Sequence, residues 1–592
     1  MPEPDTIALA RETVRAGAGL DGKRTSQEKK QKTRIASAPQ QANGDSLPEQ
    51  PAPAAGALPQ QTPSDREAIS SDASLPGGAA QPGIEVELKL LVDPDRLADF
   101  NDAPIIAANA RSKGTRKHLK DVYYDTPERT LWRNGLSLRV RQSGARFVQT
   151  VKANGDDPLR RGEWEASVPS IAPDIVLATP FVPARLRSDL QRQPLEAVFS
   201  TDIRRHQRII NLPSGTVEVA FDHGVLKSDD QSVPVSEIEL ELKGGSTIAI
   251  YDLALRLAEH GPLRPSIRSK SERGFDLAAD TPPAVSKPQK LRLDPSIKLD
   301  DAFSAILRSC LYHLLQSLPV AEDGRDPEGI HQLRVALRRL RSALDLMRLA
   351  GTLTKLETLR SEARWLAQNL SAARDWDIFQ GKTLPIIAKG CPTIPGFDVL
   401  DEVAEKRRSA AYQKVRFVLA DRRCASFVIA LGGWIEARGW RGDVAPEDLG
   451  RLAEPAINFA RSILSGQYAK VLKRGRRFKL LAAEERHRLR LSVKRLRYAA
   501  DFLLPLCGQR KSARRFYDRL ADLQEELGSY NDMATTASLL NGLSAESPDS
   551  GPAAAAVAGW QAHASGGVEA RLPNAWRDFS KTKAPWLREA EE

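Results

Sequence analysis

The sequence predicts an α+β protein with a β-rich domain followed by an all-α one. Three observations carry this. The 592 residues are too many for one core. Between about residues 84 and 277 apolar residues recur mostly with period two. Beyond the stretch TPPAVSKPQK they recur at helical spacing to the end. The expected organisation is a disordered extension over 1–82, a β-rich domain over 83–280, a linker over 281–295 and a helical domain over 296–592.

Residues 1–82 are dominated by Ala, Pro, Gln, Ser, Gly and charge, as in PEQPAPAAGALPQQTPSD, and offer little apolar surface to bury. The N-terminal stretch lacks the apolar core of a signal peptide, and no stretch approaches the roughly 18 apolar residues of a spanning helix. The four cysteines, Cys310, Cys391, Cys424 and Cys507, are far apart with no CxxC pair, which argues against a disulfide framework or a zinc site. The expectation is a soluble, cytoplasmic protein with no membrane partner. The net charge is +11, and residues 291–592, with 48 Lys and Arg against 37 Asp and Glu, account for it. That predicts an anionic partner for the helical half.

The strand signals repeat one arrangement. IEVELKL (84–90) puts Ile84, Val86, Leu88 and Leu90 on one face and Glu85, Glu87 and Lys89 on the other. LSLRVR opposes Arg139 and Arg141 to Leu138 and Val140, and FVQTVK presents Thr150 and Lys152 in phase. GEWEASV gives Glu163 and Glu165, VEVAFD gives Glu218 and Asp222, and EIELELK gives Glu237, Glu239, Glu241 and Lys243. A solvated face would mix lysine, glutamate, threonine and serine at random; these faces are rows of arginine and lysine on some strands and rows of glutamate on others. In a sheet closed into a barrel the rows would line a charged lumen. A polyphosphate with divalent cations would balance it, with Arg and Lys on the phosphates and carboxylates on Mg2+ or Mn2+.

The segments IEVELKL, YYDTPERTLWRNGLSLRVR, QTVK, RGEWE, EIELELKGG and SIRSKSERGF, in that order, resemble the CYTH domain of the triphosphate tunnel metalloenzymes over nearly all of 83–277. The resemblance implies an eight-stranded antiparallel β tunnel that acts on triphosphate compounds with a divalent metal. It implies Glu85 and Glu87 as metal ligands and catalytic acids, and Lys89 as a catalytic, phosphate-binding lysine. Arg139, Arg141 and Lys152 become phosphate grips, and Arg205 and Lys270 further ones. Glu239 and Glu241 resemble late-strand metal acids; Glu237 is in phase with them, and which two coordinate stays open.

The helical half contains a repeat. HQLRVALRRLR (331–341) matches HRLRLSVKRLR (487–497) at an offset of 156, and LAQNLSAARDWD (366–377) matches LQEELGSYNDMA (523–534) at 157. Two helical bundles are expected, over about 296–450 and 451–592. At about 100° per residue, His331, Arg334, Arg338 and Arg341 form one stripe opposite Leu333, Leu337 and Leu340. His487, Arg490, Lys494 and Arg497 repeat it, and KVLKRGRRFK adds Lys473, Arg474, Arg476 and Arg477. Neither stripe contains an acid, and cations a turn apart suit a linear polyanion. The stripes also lack interleaved aromatics on which bases would stack, which argues against nucleic acid.

HQLRVALRRLR, ARDWDI, HRLRLSVKRLRY and SYNDM resemble the CHAD domain, over roughly 296–590. That resemblance implies two similar helical bundles with a basic groove that binds inorganic polyphosphate. The second copy departs from the first, with Asn531 for Arg374 and Ala534 for Asp377. Together the features point to hydrolysis of inorganic triphosphate (tripolyphosphate) joined to polyphosphate binding, with a location at polyphosphate granules. Two alternatives are a polyphosphate-granule adaptor with little turnover, and adenylyl cyclase activity on ATP.

Overall fold

The computed structural model describes residues 83–153, 160–348, 354–507 and 510–590. All of them lie in one compact unit, Gln61–Glu592. The extension expected to be disordered, 1–82, is outside the described residues.

The period-two segments form strands β1 (Gly83–Leu91), β2 (Thr115–Asp125), β3 (Leu136–Ser143), β4 (Arg146–Ala153), β5 (Arg160–Val168), β6 (Glu196–Leu212), β7 (Gly215–Ser228) and β8 (Gln231–Gly245), and a ninth strand is β9 (Arg264–Ser266). They pair antiparallel in the order β5-β4-β3-β2-β6-β7-β8-β1-β9. The β3–β4 hairpin turns through Gly144 at φ +61°, a left-handed conformation that glycine adopts without Cβ strain.

The eight-stranded closed tunnel expected from the sequence is corrected here: the sheet has nine strands and is not closed into a barrel. β1 ladders to β5 only over Gly83–Val86 and to β8 only over Glu87–Leu91, so no β1 residue bridges the two. The physical reason is β9, a three-residue strand without a period-two signature. It pairs Arg264–Ser266 with Leu91–Lys89, and a backbone edge hydrogen-bonded to β9 has no groups left for β5.

The apolar faces do what alternation predicts. Leu88, Leu90, Val217, Val219, Phe221, Ile238 and Leu240 form one buried cluster with the helix α1 (Ile248–His260). The charged rows therefore share the opposite face. After β9 the chain enters α2 (Lys270–Ala278), started by a capping box in which Ser269 Oγ accepts from the Glu272 amide and Glu272 accepts from the Ser269 amide.

The rest is mainly helical: α3 (Leu299–Asp323), α4 (Glu328–Met347), α5 (Thr354–Asn369), α6 (Ser371–Ile378), α7 (Phe397–Ala420), α8 (Arg422–Glu436), α9 (Ala456–Arg474), α10 (Ala483–Leu503), α11 (Arg510–Glu546) and α12 (Gly551–Ser580), with shorter helical segments and turns between. Leu333, Leu337 and Leu340 of α4 and Leu489, Val493 and Leu496 of α10 are fully buried in one core. Their opposite sides carry the two basic stripes. Helix α8 joins the halves by placing Ala425 and Ile429 in the sheet's apolar cluster. Gly432 makes that approach possible, since a Cβ there would lie 2.3 Å from the Tyr251 ring. Among the described residues no helix is long and apolar enough to cross a membrane.

Candidate functional site

Strand register assembles the acids. Rungs across β6, β7 and β8 align Arg205, Asp222 and Glu237, and β8 and β1 pair Glu239 with Lys89 and Glu241 with Glu87. Asp222, Glu237 and Glu239 each offer a carboxylate oxygen within 4.8 Å of the others. Asp222 and Glu237 are fully buried, a position that carboxylates hold only with strong partners.

Those partners are present. Arg205 donates to both oxygens of Asp222, at 2.7 and 2.6 Å, and to Glu239 at 2.5 Å. The Lys270 ammonium donates to Asp222 at 2.7 Å, to Glu239 at 3.0 Å and to Glu237. Arg273, one helical turn beyond Lys270, takes the other oxygen of Glu237. Lys89 donates to Glu87 and lies 3.5 Å from Glu239. Burial pushes the Glu239 carboxyl up, but the charges of Lys270, Arg205 and Lys89 overcome it and hold it well below the usual range. Asp222 is also held low against burial, by Lys270 and Arg205. Asp222 and Glu239 are therefore held in the ionised form that metal ligands need.

A second group adjoins the first. Arg141 grips Asp121 with a two-pronged contact at 2.7 and 2.8 Å, and Arg139 lies 3.5 Å from Asp121 and 3.4 Å from Glu163. Lys152 is 3.0 Å from Glu163. The groups sense each other: Lys152 lowers the Glu87 pKa and Lys270 that of Asp121. The Glu85 side chain is outside the described residues, although its backbone pairs with Arg161. Glu241 is paired with Lys243 at 2.5 Å and set apart from the three clustered acids.

Asp222 and Glu163 stand in the charged rows that strand alternation picks out, whereas Arg273 and Asp121 do not. Arg273 was signalled only by its i+3 spacing from Lys270. Asp121, 1% exposed, shares its strand face with Leu119 and Tyr123, which masks it as part of an apolar row.

In the helical half the two stripes face each other. Burial, together with the charges of Arg338, Arg490, Arg341 and Arg334, depresses the Lys494 pKa to about 8. Arg334 donates to the Ala367 carbonyl at 2.9 Å and to Ser371 Oγ at 2.8 Å. The buried Nε atoms of Arg338 and Arg341 have no hydrogen-bond partner. Arg338 lies over the Tyr498 ring and Arg497 over Tyr517, each at 5.7 Å. His331 is held below its ordinary pKa by burial and then by Arg374. His487, Lys473, Arg474, Arg476 and Arg477 are exposed, and Arg474 donates to the Arg488 carbonyl at 3.1 Å and to Ser492 Oγ.

Three carboxylates with converging oxygens form a hard, all-oxygen donor set that fits Mg2+ or Mn2+. Clustered cations with unmet donors fit an anion.

The CYTH domain model matches residues 83–275 and the CHAD domain model residues 305–541. The chain is similar to an inorganic triphosphatase of Haemophilus influenzae, 29% identical over 201 residues, covering 33% of this chain and 55% of that one. It is also 26% identical over 332 residues to an uncharacterized protein of Mycobacterium tuberculosis, covering 51% of this chain and 60% of that one. The chain thus spans little more than half the length of these curated relatives. A crystal structure of the CHAD domain from the plant Ricinus communis is 31% identical, with 51% of this chain and 98% of that one covered and a TM-score of 0.45. Residues 83–275 are thus a CYTH domain and residues 305–541 a CHAD domain.

Proposed function

We propose that the CYTH domain hydrolyses inorganic triphosphate with Mg2+ or Mn2+ and that the CHAD domain holds inorganic polyphosphate. The observation that carries this reading is the triad Asp222, Glu237 and Glu239, its first two members buried, set beside the arginine and lysine rows. The similarity to the Haemophilus influenzae inorganic triphosphatase supports it.

In this reading Asp222, Glu237 and Glu239 hold the cation, with Glu87 beside them on β1. A divalent cation there would neutralise charge that develops on the transferring and leaving oxygens. Arg139, Arg141 and Lys152 grip one part of the triphosphate, and Lys89, Arg205 and Lys270 the part nearest the acids. These side chains are preset by their carboxylate partners, so little reorganisation is needed when the substrate's charge arrives. Glu241 takes an outer position because Lys243 occupies it. The helical cluster of Arg334, Arg338, Arg341, Arg490, Lys494 and Arg497 takes a polyphosphate chain along α4 and α10, with His331, His487, Lys473, Arg474 and Arg477 at its margin.

The test is phosphate release from tripolyphosphate, long-chain polyphosphate, ATP and thiamine triphosphate, with and without Mg2+ or Mn2+. Tripolyphosphate turnover is expected only with metal. Glu239→Gln should lower it by on the order of 100-fold or more. Wild-type turnover in that variant would reject the site.

A further inference from the structure

Lys270 reaches the acid triad from outside the sheet, as the first residue of α2. It is 8% exposed. Its ammonium donates to Asp222 at 2.7 Å, to Glu239 at 3.0 Å and to Glu237, so each of its three N–H groups meets a different carboxylate. These are the same three carboxylates whose oxygens converge within 4.8 Å. The place a divalent cation would take is filled by the chain's own cation.

The charge balance of the group is closed as well. Glu87, Asp222, Glu237 and Glu239 face Lys89, Arg205, Lys270 and Arg273, four carboxylates against four cations. A divalent ion arriving alone would compete with a bound ammonium and leave two excess positive charges in a poorly hydrated place. A phosphate arriving with it brings both negative charge and a new acceptor for the ammonium. Lys270 is the cation suited to move. Arg205 is fixed by a two-pronged contact with Asp222, whereas a lysine is a point charge on a flexible stem. The Lys270 charge also acts on Asp121, which Arg139 and Arg141 hold. It therefore stands between the acids and the arginine row.

We infer that Lys270 is an internal stand-in for the divalent cation, drawn off the acids by triphosphate, so that metal and triphosphate bind together and not metal first. This rests on the reading of the site as a metal-dependent triphosphatase.

The experiment is Mn2+ binding to the full chain, followed by electron paramagnetic resonance of free Mn2+. It is run with and without imidotriphosphate, correcting for the Mn2+ that the analogue binds in solution. Wild-type protein should bind Mn2+ at this site at least 10-fold more tightly with the analogue. Lys270→Met should bind Mn2+ at least 10-fold more tightly than wild type without the analogue, and Lys270→Arg should stay near wild type. Equal wild-type affinity with and without the analogue overturns the inference even if Lys270→Met fails to fold, and leaves the triphosphatase reading standing. A folded Lys270→Met that gains no affinity also overturns it. Absence of Mn2+ binding in every protein and condition overturns both.

Discussion

The two charged regions of this chain are built from similar cations and differ in what stands opposite them. On the sheet every arginine and lysine of the central group meets a carboxylate. Arg205 lies against Asp222, Lys270 against Asp222, Glu237 and Glu239, and Arg141 against Asp121. Between α4 and α10 the cations meet each other, and burial, then the charges of Arg338, Arg490, Arg341 and Arg334, push the Lys494 pKa down to about 8. Matched charges make a neutral, preset site that can take a cation and an anion together. Unmatched charges make a site that waits for an anion alone.

The largest expected effect comes from removing the sheet's carboxylates. Asp222→Asn combined with Glu239→Gln should lower tripolyphosphate hydrolysis by on the order of 1000-fold, read as released phosphate. Long-chain polyphosphate binding by the helical half should be unchanged. Loss of both would mean that the two regions are not separate sites.

Charge reversal between the helices should show the opposite pattern. Arg338→Glu with Lys494→Glu should weaken long-chain polyphosphate binding by roughly 100-fold in a titration, since two phosphate contacts are lost and two repulsions added. Tripolyphosphate turnover should stay within about twofold. Equal binding in the double variant would move the polyphosphate site elsewhere.

A smaller effect follows from Lys494 alone. Its folded pKa, about 8, lies below the ordinary 10.5. The unfolded chain therefore holds the extra proton between these values, and stability rises as pH climbs through that window. Bound polyphosphate restores the proton, so binding near pH 8–9 should be accompanied by proton uptake, measurable by calorimetry in buffers of different ionisation enthalpy. Lys494→Met should remove the uptake and stabilise the polyphosphate-free protein at pH 7 by about 1–2 kcal/mol, allowing for partial solvent screening. No change in uptake would separate Lys494 from the anion site.

Much of this arrangement could be read from strand phase and helix phase. Glu87, Lys89, Arg139, Arg141, Glu237 and Glu239 alternate with apolar neighbours, and the register places them on one face as alternation requires. The stripe on α4 follows the same logic, because Leu333, Leu337 and Leu340 must be buried. What escaped depends on tertiary pairing. Nothing local in Arg264–Ser266 announces a strand, yet it takes the edge of β1 and changes the sheet from the expected closed tunnel. Asp121 hides among Leu119 and Tyr123. The meeting of the stripes on α4 and α10 joins residues about 156 positions apart, and periodicity within one helix carries no information on which other helix it faces.

The central claim is that the sheet site works with a cation and the helical site without one. The most direct measurement uses one preparation, treated with EDTA and assayed for both tripolyphosphate hydrolysis and long-chain polyphosphate binding. Hydrolysis should vanish and return with Mg2+ or Mn2+, while polyphosphate affinity remains and stays sensitive to Arg338→Glu. Undiminished hydrolysis after EDTA, or loss of polyphosphate binding together with hydrolysis, would contradict the account.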